Sequence, residues 1–385
     1  MDIKIFLSSV DTALLEGNSH ASAFSNNISI HTERMPDFAG SDIALIGLPD
    51  NFSDSFGPEN PFTAASEIRR KLYRLRKGHG AYKVIDLGNL RSGSNLEDTY
   101  LRIQEVCDSL ISQNILPVFI GGTHDMDYGQ YRGYEEMEKL VSVLNVDAML
   151  DMEEQGNPNQ KHLNSILLHE PNFLFNYSHL AYQSYLIDPK IVSVLEKLYF
   201  EAYRIGHLRS NIQEMEPVIR NADMLTFDIS AIKSSDSPGT SNAQPFGLTG
   251  EEACQICWYA GLNEKLSSVG IYEYNPVLDD SNKKTASVAA TMIWYFIEGF
   301  YHRKNDKDFR TNDYLKYVVA MPSHPGTLVF YKSKLSDKWW LEVPYPEGKS
   351  RFDRNCIVPC SYSDYELAQQ GDLPDRYISA HTKLI

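Results

Sequence analysis

Short apolar runs alternate with longer amphipathic stretches along most of this chain. The runs occupy 43–48, 83–88, 116–121, 141–148, 184–188, 222–230 and 266–275, and their polar residues gather toward their carboxyl ends. Unbroken apolar runs of this length suit strands buried on both faces. The stretches between them, 64–76, 96–114, 188–206, 210–221, 250–262 and 286–301, are longer and mix apolar with charged positions, as helices covering a sheet do. Strand, crossover helix and strand in repetition predict an α/β fold of three α/β/α layers around a mostly parallel sheet. No internal repeat and no low-complexity tract interrupts it.

The pattern changes after residue 305. The segments 313–321, 326–333 and 338–346 read as three strands with SHPG and KLSD as turns, and 361–370 reads as a short helix. This divides the chain into an α/β/α domain at 1–305 and a small C-terminal α+β extension at 306–385. Adjacent Trp339 and Trp340 in the third strand point to opposite faces. If one packs inside, the other is exposed or meets a protein partner, for which tryptophan is a favoured anchor; the alternative is that the extension merely covers part of the main domain.

Open parallel sheets collect ligands at the carboxyl ends of their strands. There the chain carries His124 in LPVFIGGTHDMD, Asp147 and Asp151 in VLNVDAMLDM, Asp228 in LTFDIS and Glu273 in GIYEYNP. Each of them alone reads as a helix cap or turn residue. Together, on four segments that reach one sheet edge, they predict a metal site.

Composition narrows the partners. With 36 Lys+Arg against 51 Asp+Glu, the 385-residue chain has a net charge of −15, which disfavours nucleic acid and anionic membranes. No apolar run reaches 18 residues, and Asp11 interrupts the start too early for a secretory signal. The expectation is a cytoplasmic protein. Its five cysteines do not suggest a disulfide framework. Cys254 and Cys257 read as one buried helix face, and Cys356 and Cys360 as inert.

Five blocks, GGTHD (121–125), DAMLD (147–151), FDIS with SPGT (227–240), FGLTGEE (246–252) and EYNP (273–276), resemble in order the signatures of the ureohydrolases: arginase, agmatinase and formimidoylglutamase. The segment 50–70 resembles the family's amino-terminal block in weakened form, and the likeness covers roughly 40–300. It implies an arginase-like α/β/α domain with two Mn²⁺ ions whose bridging hydroxide attacks the carbon of a guanidino or formimino substrate. It also implies that His124, Asp147, Asp151 and Asp228 hold the first ion, with Asp147 and Asp228 bridging to the second. His162 takes the place of a proton shuttle, and Glu273 that of the carboxylate that binds the substrate cation.

The departures concern the second ion. Where the family has a histidine and a further aspartate, this chain has Met149 and Ser230, and neither a thioether nor a hydroxyl replaces them for Mn²⁺. Thr123 stands where a carboxylate supporting His124 is expected, with Asp125 as a weak substitute. At most one well-formed Mn²⁺ site is therefore expected. Two readings follow: a ureohydrolase of reduced activity on a guanidino or formimino compound, or an inactive scaffold that binds a protein through its aromatic extension. The resemblance also implies a homo-oligomer, since family members are often trimers or hexamers.

Overall fold

The computed structural model describes residues 3–50, 63–137, 139–306, 311–345 and 356–384. Its central sheet contains β1 (Leu7–Ser8), β2 (Ser29–Ile30), β3 (Ile43–Gly47), β4 (Val84–Leu90), β5 (Leu116–Ile120), β6 (Val141–Val146), β7 (Leu174–Tyr182), β8 (Glu201–Arg204), β9 (Met224–Asp228) and β10 (Ser268–Tyr272). The order is β1-β4-β3-β5-β10-β9-β6-β7-β8, with β2 also on β4. Only β1 pairs antiparallel. The expected three-layer α/β fold is present.

The two sheet faces are both covered, which is why the strands read as apolar runs. Ile43, Leu45, Leu144 and Val146 turn to the face packed by α1 (Thr63–Leu72), where the helices Gly250–Leu262 and Lys284–Tyr301 also lie. Ala44, Ile46, Ile85 and Leu87 turn the other way, onto Ile103, Val106 and Leu110 of α2 (Leu96–Ile111). Farther along that face, Val141 and Val143 meet Tyr131 of α3 (Asp127–Arg132), Leu163 and Ile166 of α4 (His162–Leu167) and Leu195 of α5 (Pro189–Lys197). The helices α6 (Ile205–Ser210), α7 (Glu216–Arg220), α8 (Gly250–Leu262) and α9 (Lys284–Tyr301) complete the main layers. The LTGEE of one signature block is a helix start: Thr249 Oγ1 accepts the Glu252 N–H at 3.1 Å, and Glu252 Oε2 accepts the Thr249 N–H at 2.7 Å, a reciprocal cap.

Two local expectations differ from the structure. Residues 184–188 are not a strand: Ser184–Leu186 is a 3-10 turn, and the strand is β7 just before it. Its buried Asn176, Ser178 and His179 broke the apolar run, yet each has a hydrogen-bond partner inside. The stretch 188–206 is not one helix, because the backbone turns left-handed at Tyr199 (φ 58°) and continues as edge strand β8. Most of the amino-terminal block lies outside the described residues, and 63–70 falls within α1.

The extension is an antiparallel sheet of β11 (Tyr314–Ala320), β12 (Thr327–Ser333), β13 (Trp339–Val343) and β14 (Cys356–Cys360), with α10 (Tyr362–Gln369) and α11 (Asp375–Leu384). The first three strands and α10 match the expected segments; β14 and α11 were not anticipated. The expectation that one tryptophan is exposed or meets a partner is corrected, because Trp339 and Trp340 are each only 7% exposed. Trp339 packs inside the extension beside Phe330 and Leu341. Trp340 faces the main domain, where the Arg220 guanidinium of α7 lies 4.4 Å from its ring centroid.

Candidate metal centre

Sheet order explains how the site assembles. Strands β5, β10, β9 and β6 are consecutive neighbours, so the residues that follow their carboxyl ends meet although they are far apart in sequence. After β5, Gly121 and Gly122 take φ of 83° and 77°, a left-handed turn that glycine adopts at least cost. The turn delivers His124 to a 3-10 helix that runs into α3. Glu273 follows β10 with φ 65°, and Asp151 has φ 46°. Left-handed backbone at non-glycine residues stores strain and concentrates at functional sites.

His124 is the centre of the cluster. Its Nδ1 lies 3.5 Å from Asp147 Oδ2, 3.6 Å from Asp151 Oδ2 and 3.4 Å from Asp228 Oδ2. Nδ1 and Asp147 Oδ2 are buried without a hydrogen-bond partner. His124, Asp147, Asp151 and His162 can each offer a donor atom within 4.8 Å of every other. The structure thus brings together all six residues singled out from the sequence, because Glu273 Oε1 accepts the His124 backbone N–H at 2.8 Å.

The second ring nitrogen of His124 is held from an unexpected direction. Its Nε2 meets Thr226 Oγ1 at 2.8 Å and lies 3.8 Å from Asp127 Oδ2. Asp125 does not serve, because its carboxylate accepts the Tyr100 hydroxyl. Asp127 was missed by the sequence reasoning, as were Thr226 and Asn159. Asp127 sits one helical turn after His124, and Thr226 two residues before Asp228 on the same strand, spacings that share a face. Asn159, which donates to Glu273 Oε1 at 3.0 Å, left no such signal.

His162 opens α4 and is buried. Its Nδ1 is 2.9 Å from Asp127 Oδ1 and its Nε2 3.2 Å from Asp151 Oδ2. On the other side of the cluster, Asp147 Oδ1 accepts the Ser230 hydroxyl at 3.0 Å and the Met149 N–H at 3.1 Å. Asp228 Oδ1 accepts the Ser230 N–H at 2.5 Å. Both carboxylates keep Oδ1 on these donors and direct Oδ2 to His124.

Electrostatics follow from crowding. Burial, then the Asp151 charge, raises Asp147; burial, then Asp147, raises Asp228. Burial, then Asp228, pushes Glu273 up to about 8. Burial disfavours charge on the histidines, yet the three aspartates hold His124 well above its ordinary value, and Asp127 brings His162 to about 9. Without a cation such a cluster must retain protons. A divalent ion fits the same place, since carboxylate oxygens with imidazole suit Mn²⁺ and it would give the unpartnered Nδ1 and Oδ2 atoms a ligand.

The class is that of α/β/α proteins with a buried acid and imidazole cluster, able to hold a metal ion, at the carboxyl edge of the sheet. The sequence model of the arginase family matches residues 41–298, and the chain belongs to that family. It is 26% identical over 273 residues to a formimidoylglutamase of Geobacillus sp. (strain WCH70), covering 64% of this chain and 80% of that protein. The fold is similar to formimidoylglutamase from Bacillus subtilis subsp. subtilis str. 168, with a TM-score of 0.63 at 20% identity over 75% of this chain and 96% of the other. It is also similar to Trypanosoma cruzi formiminoglutamase with Mn²⁺, with a TM-score of 0.62 at 21% identity over 77% and 100%. Among the described residues no helix is long and apolar enough to cross a membrane.

Proposed function

We propose that this protein is a metal-dependent hydrolase that cleaves a C–N bond in a small formimino compound, with guanidino compounds as the second substrate class. The observation that carries this is the convergence of His124 Nδ1 with one oxygen each of Asp147, Asp151 and Asp228, buried and close enough to share a cation. The formimidoylglutamase relatives favour the formimino class, and the manganese of the Trypanosoma cruzi protein favours Mn²⁺. The chain's own donors supply one ion position, because Ser230 and Met149 close the far oxygen of Asp147. An ion held there would supply an acidified water at neutral pH.

Glu273 is the group we assign to the substrate. Its Oε1 is fixed by His124 N–H and Asn159, while Oε2 is buried without a partner. A planar amidinium would satisfy that oxygen with a charge-assisted bond and draw the carboxyl to its ionised form. Water adds to the formimino carbon, the bond to the substrate amine breaks, and formamide and the free amine leave. The inactive-scaffold reading has no such support, since a retained buried cluster with unpartnered polar atoms is costly unless it binds something, and both tryptophans are used within the molecule.

Formamide release from formimino-glutamate by the Mn²⁺-loaded protein, with urea release from arginine as the comparison, tests the proposal. Turnover of the formimino substrate is expected, with Glu273→Gln lowering kcat/KM by about 10- to 100-fold, the worth of one charge-assisted bond. Bound metal with no turnover of either substrate would refute it.

A further inference from the structure

We infer that His162 is itself a ligand of the cation, so that one ion sits between two imidazoles and the carboxylates of Asp147 and Asp151, the four residues whose donor atoms lie within 4.8 Å of one another; this rests on the metal-dependent reading above. A proton shuttle needs a nitrogen free to exchange with water or substrate. Both nitrogens of the buried His162 ring instead face carboxylates of the cluster, Nδ1 toward Asp127 at 2.9 Å and Nε2 toward Asp151 at 3.2 Å.

The Asp127 contact selects the tautomer. Once a cation displaces the Nε2 proton, a carboxylate on Nδ1 keeps the remaining proton there and the Nε2 lone pair is directed into the cluster, which is how outer carboxylates hold metal-bound imidazoles. Two ring nitrogens, His124 Nδ1 and His162 Nε2, then address the same Asp151 oxygen at 3.6 and 3.2 Å. The rings themselves are 4.1 Å apart between centroids. Lone pairs from two imidazoles and a carboxylate directed at one point repel unless a proton or a cation lies among them, and a divalent ion serves all of them at once.

Ser230 gives the same answer from the other side. With its hydroxyl and the Met149 N–H on Asp147 Oδ1, an ion at the family's second position would have to displace two hydrogen bonds and would find no imidazole. On the Asp127 side the imidazole is already oriented. Loss of the second-ion ligands and recruitment of His162 are, in this account, one change.

The full chain loaded with Mn²⁺ alone and examined by pulsed EPR, which counts the imidazole nitrogens on the ion, tests the assignment. Two are expected in the wild type and one in His162→Gln, whose Mn²⁺ dissociation constant should rise. Asp127→Asn, which keeps a hydrogen-bonding group beside Nδ1 but removes its charge, should weaken Mn²⁺ by about 10- to 100-fold with both nitrogens retained. A single nitrogen in the wild type overturns the assignment whatever the variants do, and leaves the hydrolase reading standing. Failure of the wild type to bind Mn²⁺ or any other divalent ion overturns both.

Discussion

At the scale of single residues, the site is an arrangement of which oxygen faces where. Asp147 and Asp228 each direct Oδ2 to His124, and Ser230 occupies an oxygen of one through its hydroxyl and of the other through its N–H. Replacing Met149 with His and Ser230 with Asp together should raise the metal content measured by elemental analysis from one equivalent to two. Stoichiometry that stays at one would show that the space has closed around Ser230. Protons compete with the ion for the same atoms. Burial and neighbouring charge raise Asp147 and Asp228, and although burial opposes charge on the imidazoles, the surrounding carboxylates hold His124 well above its ordinary value and bring His162 to about 9, so binding releases protons and tightens as pH rises. Calorimetric titration should show affinity rising by up to about tenfold per pH unit for each proton displaced; an affinity flat between pH values of about 6 and 8 would contradict the crowding argument. The thiols, by contrast, are quiet. Burial raises Cys107, Cys254, Cys257, Cys356 and Cys360 alike, and none is paired. Thiol labelling of the native protein should be slow until denaturant is added, because the thiolate is the reactive form.

At the scale of elements, Arg220 is one of several junctions between the main domain and the extension. It ends α7, donates to the carbonyls of Trp339 and Cys360 at 3.1 Å, and lies over the Trp340 ring. Arg220→Ala strips donors from two buried carbonyls and one face from the indole, and should cost about 2–4 kcal/mol in denaturant unfolding. Arg220→Lys should recover little, since an ammonium cannot reproduce the planar fork; full recovery would mean that charge alone holds the junction. This element-level geometry was only partly legible. The three strands of the extension announced themselves by alternation and turn residues, whereas β14 offered only two cysteines that read as inert and β7 was hidden by its buried polar residues. Both strands are defined by the neighbours they pair with.

At the scale of the whole molecule, a ligand that binds only the assembled site must stabilise the fold. His124, Asp147, Asp151 and Asp228 come from three strand ends joined by the sheet order β5-β10-β9-β6, so no unfolded chain presents them together. Saturation with Mn²⁺ at a hundred times its dissociation constant should add about 2.7 kcal/mol of stability. Chelation should lower the thermal midpoint correspondingly, and a midpoint indifferent to metal would argue against a site built in this way.

What the amino-acid sequence determined by itself was the α/β class, the strand-end positions of the acids and His124, and the presence of Met149 and Ser230 at the two positions where the family resemblance implies further ligands. These are local properties: hydrophobic period, turn chemistry and residue type at a given position. Tertiary structure alone decided that Thr226 and Asp127 support His124, that Asp125 turns away to Tyr100, that His162 lies within the cluster, and that both tryptophans are buried. The reason is physical: a hydrogen bond is set by direction and distance between atoms far apart in the chain, and only the packed sheet and helices supply those.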